Sequence, residues 1–244
     1  HTRSYRVTGV QTCALPICNA FVASHPVAAA EVVLDNANVL VRRILEKGER
    51  ADLLGSPGLV EMDRMVAAGA VRREDVVPFA RFELVLFTPR SNPAAVGTLA
   101  DLARDSVKTI AIADPVENSV GRCTKQALET LGLWTGLAPK MMLTDHPITA
   151  YKHVAREKAE ASFAYRSCPL RTAPDKLEYS KVRIVETVPP GSYDPAFAYI
   201  APLATSPRAE AARSFIGYLL SEAGQAMLLE YDLPGVTGGE PVPR

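Results

Sequence analysis

Three short polar runs carry the chemistry open to this chain: DNAN (35–38), NSVG (118–121) and DHPIT (145–149). Each follows an apolar, β-rich or turn-bounded stretch and precedes a helix-spaced pattern, so each falls at a junction leading into a helix. A helix N-terminus offers unpaired backbone N–H groups and the positive end of the peptide dipoles. Together these hold an oxyanion without any formal positive charge. The other use of such residues is plain N-capping, and the sequence leaves both uses open. In an open α/β sheet, junctions of this kind line one crevice.

Catalysis finds no support among the remaining residues. His146 beside Asp145 resembles a base with its orienter, but no nucleophile context accompanies it. A helix start capped by Asp145 and opened by Pro147 is the better reading. There is no P-loop, no GxSxG and no HExxH. Tyr165, at a predicted strand end, serves either as a core-edge tyrosine or as a hydroxyl donor. Trp134 reads as packing at a helix end. Arg122 and Lys125 add positive charge near the second run unless they are solvated. Four cysteines (Cys13, Cys18, Cys123, Cys168) show neither CxxC nor His-rich spacing, so no metal site and no cofactor are expected. Cys123 and Cys168 can pair only if the chain is exported.

The elements that position these residues alternate. AAEVVLDN (29–36) is a strand, and NVLVRRILEKG (38–48) a helix stopped by Gly48. ADLLGS (51–56) is a strand followed by a helix opened at Ser56 and Pro57 and closed by Gly69. RFELVLFTP (81–89) reads as one long strand, followed by a turn and a short helix within 91–105. TIAIAD (109–114) is a strand before a helix that begins near Asn118 or Ser119. A helix over 145–159 precedes the strand ASFAY (161–165) and the loop RSCPLRTAP. VRIVETV (182–188) and FAYIAPLA (197–204) are strands, and 206–233 holds two helices broken near Ser221. This alternation predicts an α/β protein with mostly parallel sheets flanked by helices.

Composition narrows the function classes. The chain has 244 residues, 48% of them hydrophobic and 22% charged, with 27 basic against 27 acidic residues. A net charge of zero gives no field for nucleic acid or an acidic membrane, so a charged ligand must be recognised locally. No run approaches the roughly 20 apolar residues that a spanning helix needs. The opening HTRSYRVTGVQTCALPIC (1–18) lacks the architecture of a signal peptide. RVTGVQTCALPIC resembles a translated sequencing-adaptor read-through, so residues 1–18 are set aside as non-native; a natural disordered or strand-forming arm is the alternative. The tail TGGEPVPR (237–244) reads as disordered.

From about residue 29 to residue 233 the chain resembles the periplasmic molybdate-binding proteins of ABC importers. The resemblance is carried by VLVRRILEKGERADLLGSPGLVEMDRMVAAG, LVLFTPRSNPA, SVGRCTKQALETLGLW and SFIGYLLSEAGQAMLLEYDL. It implies a two-lobe type II periplasmic binding protein fold with two hinge crossovers, near Arg90 and Val188. Lobe one would comprise 19–90 and 188–244, and lobe two 91–187. The implied ligand is molybdate or tungstate, held as an oxyanion in the inter-lobe cleft by neutral donors. Matched position by position, those donors are Asn36, Ala37 and Asn38, then Ser119 or Val120, then Ile148 or Thr149 because Pro147 has no N–H, and Tyr165. The implied partner is a membrane permease, with no nucleic acid. The protein is expected to be a monomer, periplasmic or lipid-anchored outside the cell.

Two departures bear on the transfer. The family has serine and glycine where this chain reads DNAN, and an ionised Asp35 in the cleft would repel an oxyanion, although Asn38 can still donate or cap its helix. The family's first strand should also precede residue 20, and residues 1–18 do not resemble it. Lobe one is therefore expected to lack a central strand and a ligand loop, with poorer stability and weaker binding. A different oxyanion, a small organic acid, a regulator's sensing domain and a fold-sharing enzyme remain the alternatives. The regulator would need a helix-turn-helix, which the sequence lacks, and the enzyme a convergent acid or base and nucleophile, which the sequence does not reveal.

Overall fold

The computed structural model describes residues 3–9, 18, 21–23, 28–166, 181–230 and 233–236. Cys13, Cys168 with its pairing to Cys123, the loop after Arg166 and the tail 237–244 lie outside the described residues. Two compact units emerge, residues 1–81 with 197–244, and residues 82–196.

In the first unit, strands β1 (Arg3–Gly9), β2 (Ala28–Leu34), β3 (Leu53–Ser56), β4 (Val77–Phe82) and β10 (Ala196–Pro202) form a sheet of order β2-β1-β3-β10-β4. β1 runs parallel to β2, Arg3 opposite Ala28, and parallel to β3. The expectation of a missing central strand is therefore corrected: Arg3–Gly9 fills that place, because its backbone pairs on both sides. β10 returns antiparallel to β3, Tyr199 opposite Ser56. Helix α1 (Ala37–Lys47) starts at the N-cap Asn36 and ends at Gly48, whose φ of 65° is the left-handed turn that glycine adopts without strain. Helix α2 (Leu59–Ala67) begins after Gly58, not at Ser56 as the sequence suggested. The Ser56 hydroxyl instead donates to the Gly58 carbonyl and accepts from its N–H, so it closes the turn before the helix. Leu40, Val41, Leu54, Met62, Met65, Phe197 and Tyr199 make the core.

The second unit holds β5 (Leu84–Pro89), β6 (Ile110–Ala113), β7 (Met141–Thr144), β8 (Ala161–Tyr165) and β9 (Val182–Thr187) in the order β7-β6-β8-β5-β9. β6 is parallel to β7 and β8, whereas β5 is antiparallel to β8 and β9. The single strand expected over 81–89 is thus two strands in two sheets, parted at Glu83. Because β5 pairs with β8 and β9, it belongs to the second unit, and the division falls at 81/82 and 196/197 where 90/91 and 187/188 were expected. Helices α3 (Ser119–Thr130) and α5 (Pro147–Ala155) follow β6 and β7, with a single turn α4 (Trp134–Leu137) between them. The helix expected within 91–105 is a 3-10 turn, Leu99–Ala103, set by a Thr98–Asp101 capping box. After β10 the chain closes with α6 (Ala209–Leu220) and α7 (Glu222–Glu230), separated at Ser221.

Ser162, the second residue of β8, is fully buried and its hydroxyl finds no hydrogen-bond partner among the described residues. Desolvating a hydroxyl without compensation costs stability. Ser162→Ala is therefore expected to stabilise the protein by about 1 kcal/mol. A denaturant midpoint that rises at constant m supports this, and a falling midpoint would show that the hydroxyl is satisfied.

Candidate functional site

At the β2–α1 junction, Asn36 caps α1 by accepting the Asn38 N–H at 2.9 Å. Asn36, not Asn38, is the cap. Asn38 is buried and its side-chain oxygen accepts from Arg64 Nη1 at 3.0 Å, an α2 contact that local sequence reading did not anticipate. Ala37 is buried beside it. Asp35 accepts the Asn36 N–H at 2.8 Å and lies 3.4 Å from the Arg43 guanidinium, so its charge is partly countered. Arg43 is held above its ordinary pKa, first by its hydrogen bonds to Glu49 and further by the charges of Glu49 and Asp35. Glu61, fully buried on α2 and 3.4 Å from the Ser56 hydroxyl, is a second polar residue that sequence reading missed. Its only sequence signal is its position one turn before Arg64.

The second unit places its expected residues at the carboxyl ends of three adjacent parallel strands, β7, β6 and β8. Asn118 caps α3 by accepting the Val120 N–H at 2.9 Å, and Ser119 and Val120 are buried. At the β7–α5 junction His146 is the cap, correcting Asp145: its Nδ1 accepts the Ile148 N–H at 3.1 Å. This requires an unprotonated Nδ1. Ile148 is exposed, and the Thr149 N–H donates to the His146 carbonyl at 2.9 Å. The two junctions are tied together, because the Asp114 N–H donates to the Thr144 carbonyl at 2.9 Å. Tyr165, at the end of β8, is buried; its ring stacks on Phe82 at 4.5 Å and its hydroxyl lies 3.5 Å from Cys123 Sγ. Lys125, read from sequence as a source of positive charge, pairs with Glu129 and lies over the Trp134 ring.

The three caps share an electrostatic feature. α1, α3 and α5 carry no acidic residue in their first turns, whereas α2, α6 and α7 carry Glu61, Glu210 and Glu222 there. A groove of about 440 Å³ lined by Arg90, Ser91, Ala155, Arg156, Glu157 and Lys181 lies elsewhere in the second unit. It flanks the start of β8, the opposite end from that unit's two junctions, because β5 and β9 pair there as Pro89 opposite Val182. No group of His, Cys, Asp and Glu suited to a metal ion occurs among the described residues.

The sequence profile of the family described as bacterial extracellular solute-binding protein matches residues 8–231. The chain belongs to that family. Solved structures resemble this bacterial extracellular solute-binding protein along nearly its whole length. One is a substrate-binding domain assigned to a molybdenum ABC transporter from Clostridium difficile, with TM-score 0.71, 21% identity, and 96% of this chain and 99% of that one covered. A second is the periplasmic molybdate-binding protein of Azotobacter vinelandii, with TM-score 0.73, 15% identity, and 94% and 98% covered. A third is the sulfate-binding protein SubI of Mycobacterium tuberculosis H37Rv, with TM-score 0.77, 15% identity, and 98% and 88% covered. At these identities the likeness speaks for the fold, which is that of the type II periplasmic binding proteins. A comparison with curated proteins returns no match. Among the described residues, no helix of this solute-binding protein is long and apolar enough to cross a membrane.

Proposed function

We propose that this protein is the solute-binding component of an ABC importer and that its solute is a tetrahedral oxyanion, molybdate or tungstate first. The observation that carries the reading is the set of three helix N-termini, at Ala37, Ser119 and Pro147, each capped by a neutral side chain and free of carboxylates in the first turn. An anion is stabilised at such ends by backbone N–H groups and aligned dipoles, and a glutamate there would compete with it. In each unit taken separately, the caps engage the second-residue amides of Asn38, Val120 and Ile148. On this reading, Ala37 and Ser119 supply first-residue amides, Ser119 adds a hydroxyl, and the hydroxyls of Thr149 and Tyr165 complete the donors. Within either unit, an arriving anion exchanges with the cap oxygen, that of Asn36 in the first or of Asn118 in the second, for the adjoining amide. Molybdate-binding, sulfate-binding and iron-binding proteins all share the fold, so the ligand reading rests on the helix ends, with sulfate as the second reading. Delivery to a membrane permease, in the periplasm or outside the cell, follows from the same role.

A thermal-unfolding scan with molybdate, tungstate, sulfate and phosphate tests this. Ligand at 100 times its Kd is expected to add about 2.7 kcal/mol to native stability and to raise the Tm visibly. A shift limited to molybdate and tungstate supports the first reading, and a shift limited to sulfate supports the second. Indifference to all four removes oxyanion binding.

A further inference from the structure

We propose that Cys123 is a positioning residue for Tyr165, serving as an exchangeable hydrogen-bond partner that lets the phenol turn from protein to solute. The proposal rests on the reading above in which Tyr165 donates to the bound anion. Cys123 lies on α3 one turn beyond Ser119 and Val120, so it shares a helix face with the first turn of that helix. Its Sγ is 3.5 Å from the Tyr165 hydroxyl, and either atom can be the donor. Both residues are buried, Tyr165 to 1% exposure and Cys123 to 6%. Stacking on Phe82 at an interplanar angle of 3° fixes the plane of the Tyr165 ring, and backbone pairing to Leu84 fixes its strand position. What is left to adjust is the hydroxyl proton.

A thiol suits that adjustment because it is a weak acceptor and a weak donor at once. Without solute, the phenol O–H points to sulfur. With an oxyanion present, the O–H turns to the stronger charged acceptor, and the thiol S–H donates back to the phenol oxygen. In both states the phenol and the thiol stay hydrogen-bonded to each other in the core. Alanine at 123 removes this one contact in both states, whereas serine keeps a group that donates and accepts. A second tyrosine reports the same surroundings: burial first, then Cys123 and Glu83, pushes the Tyr193 phenol up against the opposing hydrogen bond from the Leu84 N–H.

The test is calorimetric titration of molybdate and sulfate into the full chain and into Cys123→Ala, Cys123→Ser, Tyr165→Phe and the Cys123→Ala/Tyr165→Phe pair. Cys123→Ala is expected to weaken the anion that binds by roughly two- to five-fold. Cys123→Ser is expected to restore most of the affinity, and the alanine effect to vanish in the Tyr165→Phe background. An alanine variant that binds like wild type overturns the proposal. So does a serine variant as weak as alanine, or an alanine effect that persists without the phenol, which would mark a packing role. If Tyr165→Phe alone binds like wild type, the tyrosine is no solute donor and the proposal falls with that assignment. A wild type that binds neither anion removes both. In the unliganded protein, the Cys123 S–H stretch, taken as wild type minus Cys123→Ala in Raman spectra, is expected to shift in Tyr165→Phe. An unmoved band overturns the contact itself.

Discussion

Replacing Gly121 with alanine is expected to destabilise the protein by about 3 kcal/mol or more and to abolish measurable solute binding. A Cβ at this position would fall into the Ala113 carbonyl oxygen and lie 2.7 Å from that of Asp114. Both obstacles are backbone atoms at the end of β6, so no side chain can swing aside. The helix must retreat from the strand. The start of α3 then shifts away from the end of β6, and with it go the Ser119 and Val120 amides assigned to the solute. Gly217→Ala is the control, because that glycine also lies in a helix but has nothing within 4 Å of its added Cβ. It should be neutral or gain about 0.5–1 kcal/mol from helix propensity. Urea midpoints for the two variants decide the matter; equal effects would mean that close approach to β6 is not what requires glycine at 121.

The second large effect is expected at Arg208, just before α6. Its guanidinium reaches both oxygens of Asp52, Nε to Oδ1 at 3.1 Å and Nη2 to Oδ2 at 3.0 Å, and the Asp52 side chain is 2% exposed. Ser206 adds a hydroxyl donor at 2.7 Å, and the Leu203 N–H donates to the Asp52 carbonyl. Removing one partner of a buried pair leaves the other charge desolvated, at a cost of about 3–5 kcal/mol, and partial exposure of Arg208 places this case near the lower figure. Arg208→Ala is accordingly expected to cost about 3 kcal/mol, more than Asp52→Asn, which removes the buried charge itself. Chemical denaturation of both variants checks the order. A loss under about 1 kcal/mol for Arg208→Ala would class the pair with ordinary surface bridges.

Elements governed by local chemistry were legible in the sequence. Gly48 ends α1, Asn118 caps α3, and ASFAY is the strand Ala161–Tyr165. What failed depends on partners distant in the chain. RFELVLFTP is apolar and β-rich throughout, so nothing local marks Glu83 as the point where pairing passes from one sheet to the other. RSYRVTG falls within residues 1–18, set aside for their likeness to an adaptor read-through with a strand-forming arm as the alternative, and pairing on both sides makes it β1. The junction residues stood out by type, but Arg64 on Asn38 and Cys123 on Tyr165 join positions 26 and 42 residues apart. Asp145 is the residue that capping preference favours, and the imidazole of His146 took the role by offering Nδ1 to the Ile148 amide.

The antiparallel return of β10 also governs the order in which the chain can acquire its shape. The sheet β2-β1-β3-β10-β4 draws its fourth strand from residues 196–202, so four of its strands have been synthesised long before the one that joins β3 to β4. Residues 82–196 need no such wait, since all five strands of their sheet lie within that interval. Closing Ser56 against Tyr199 across an unstructured intervening chain carries the entropy of a long loop, and prior compaction of residues 82–196 shortens that loop. Until residue 202 is released, β3 and β4 present unpaired edges. A nascent chain of this protein therefore carries those edges uncovered from the completion of β4 at residue 82 to the completion of β10 at residue 202.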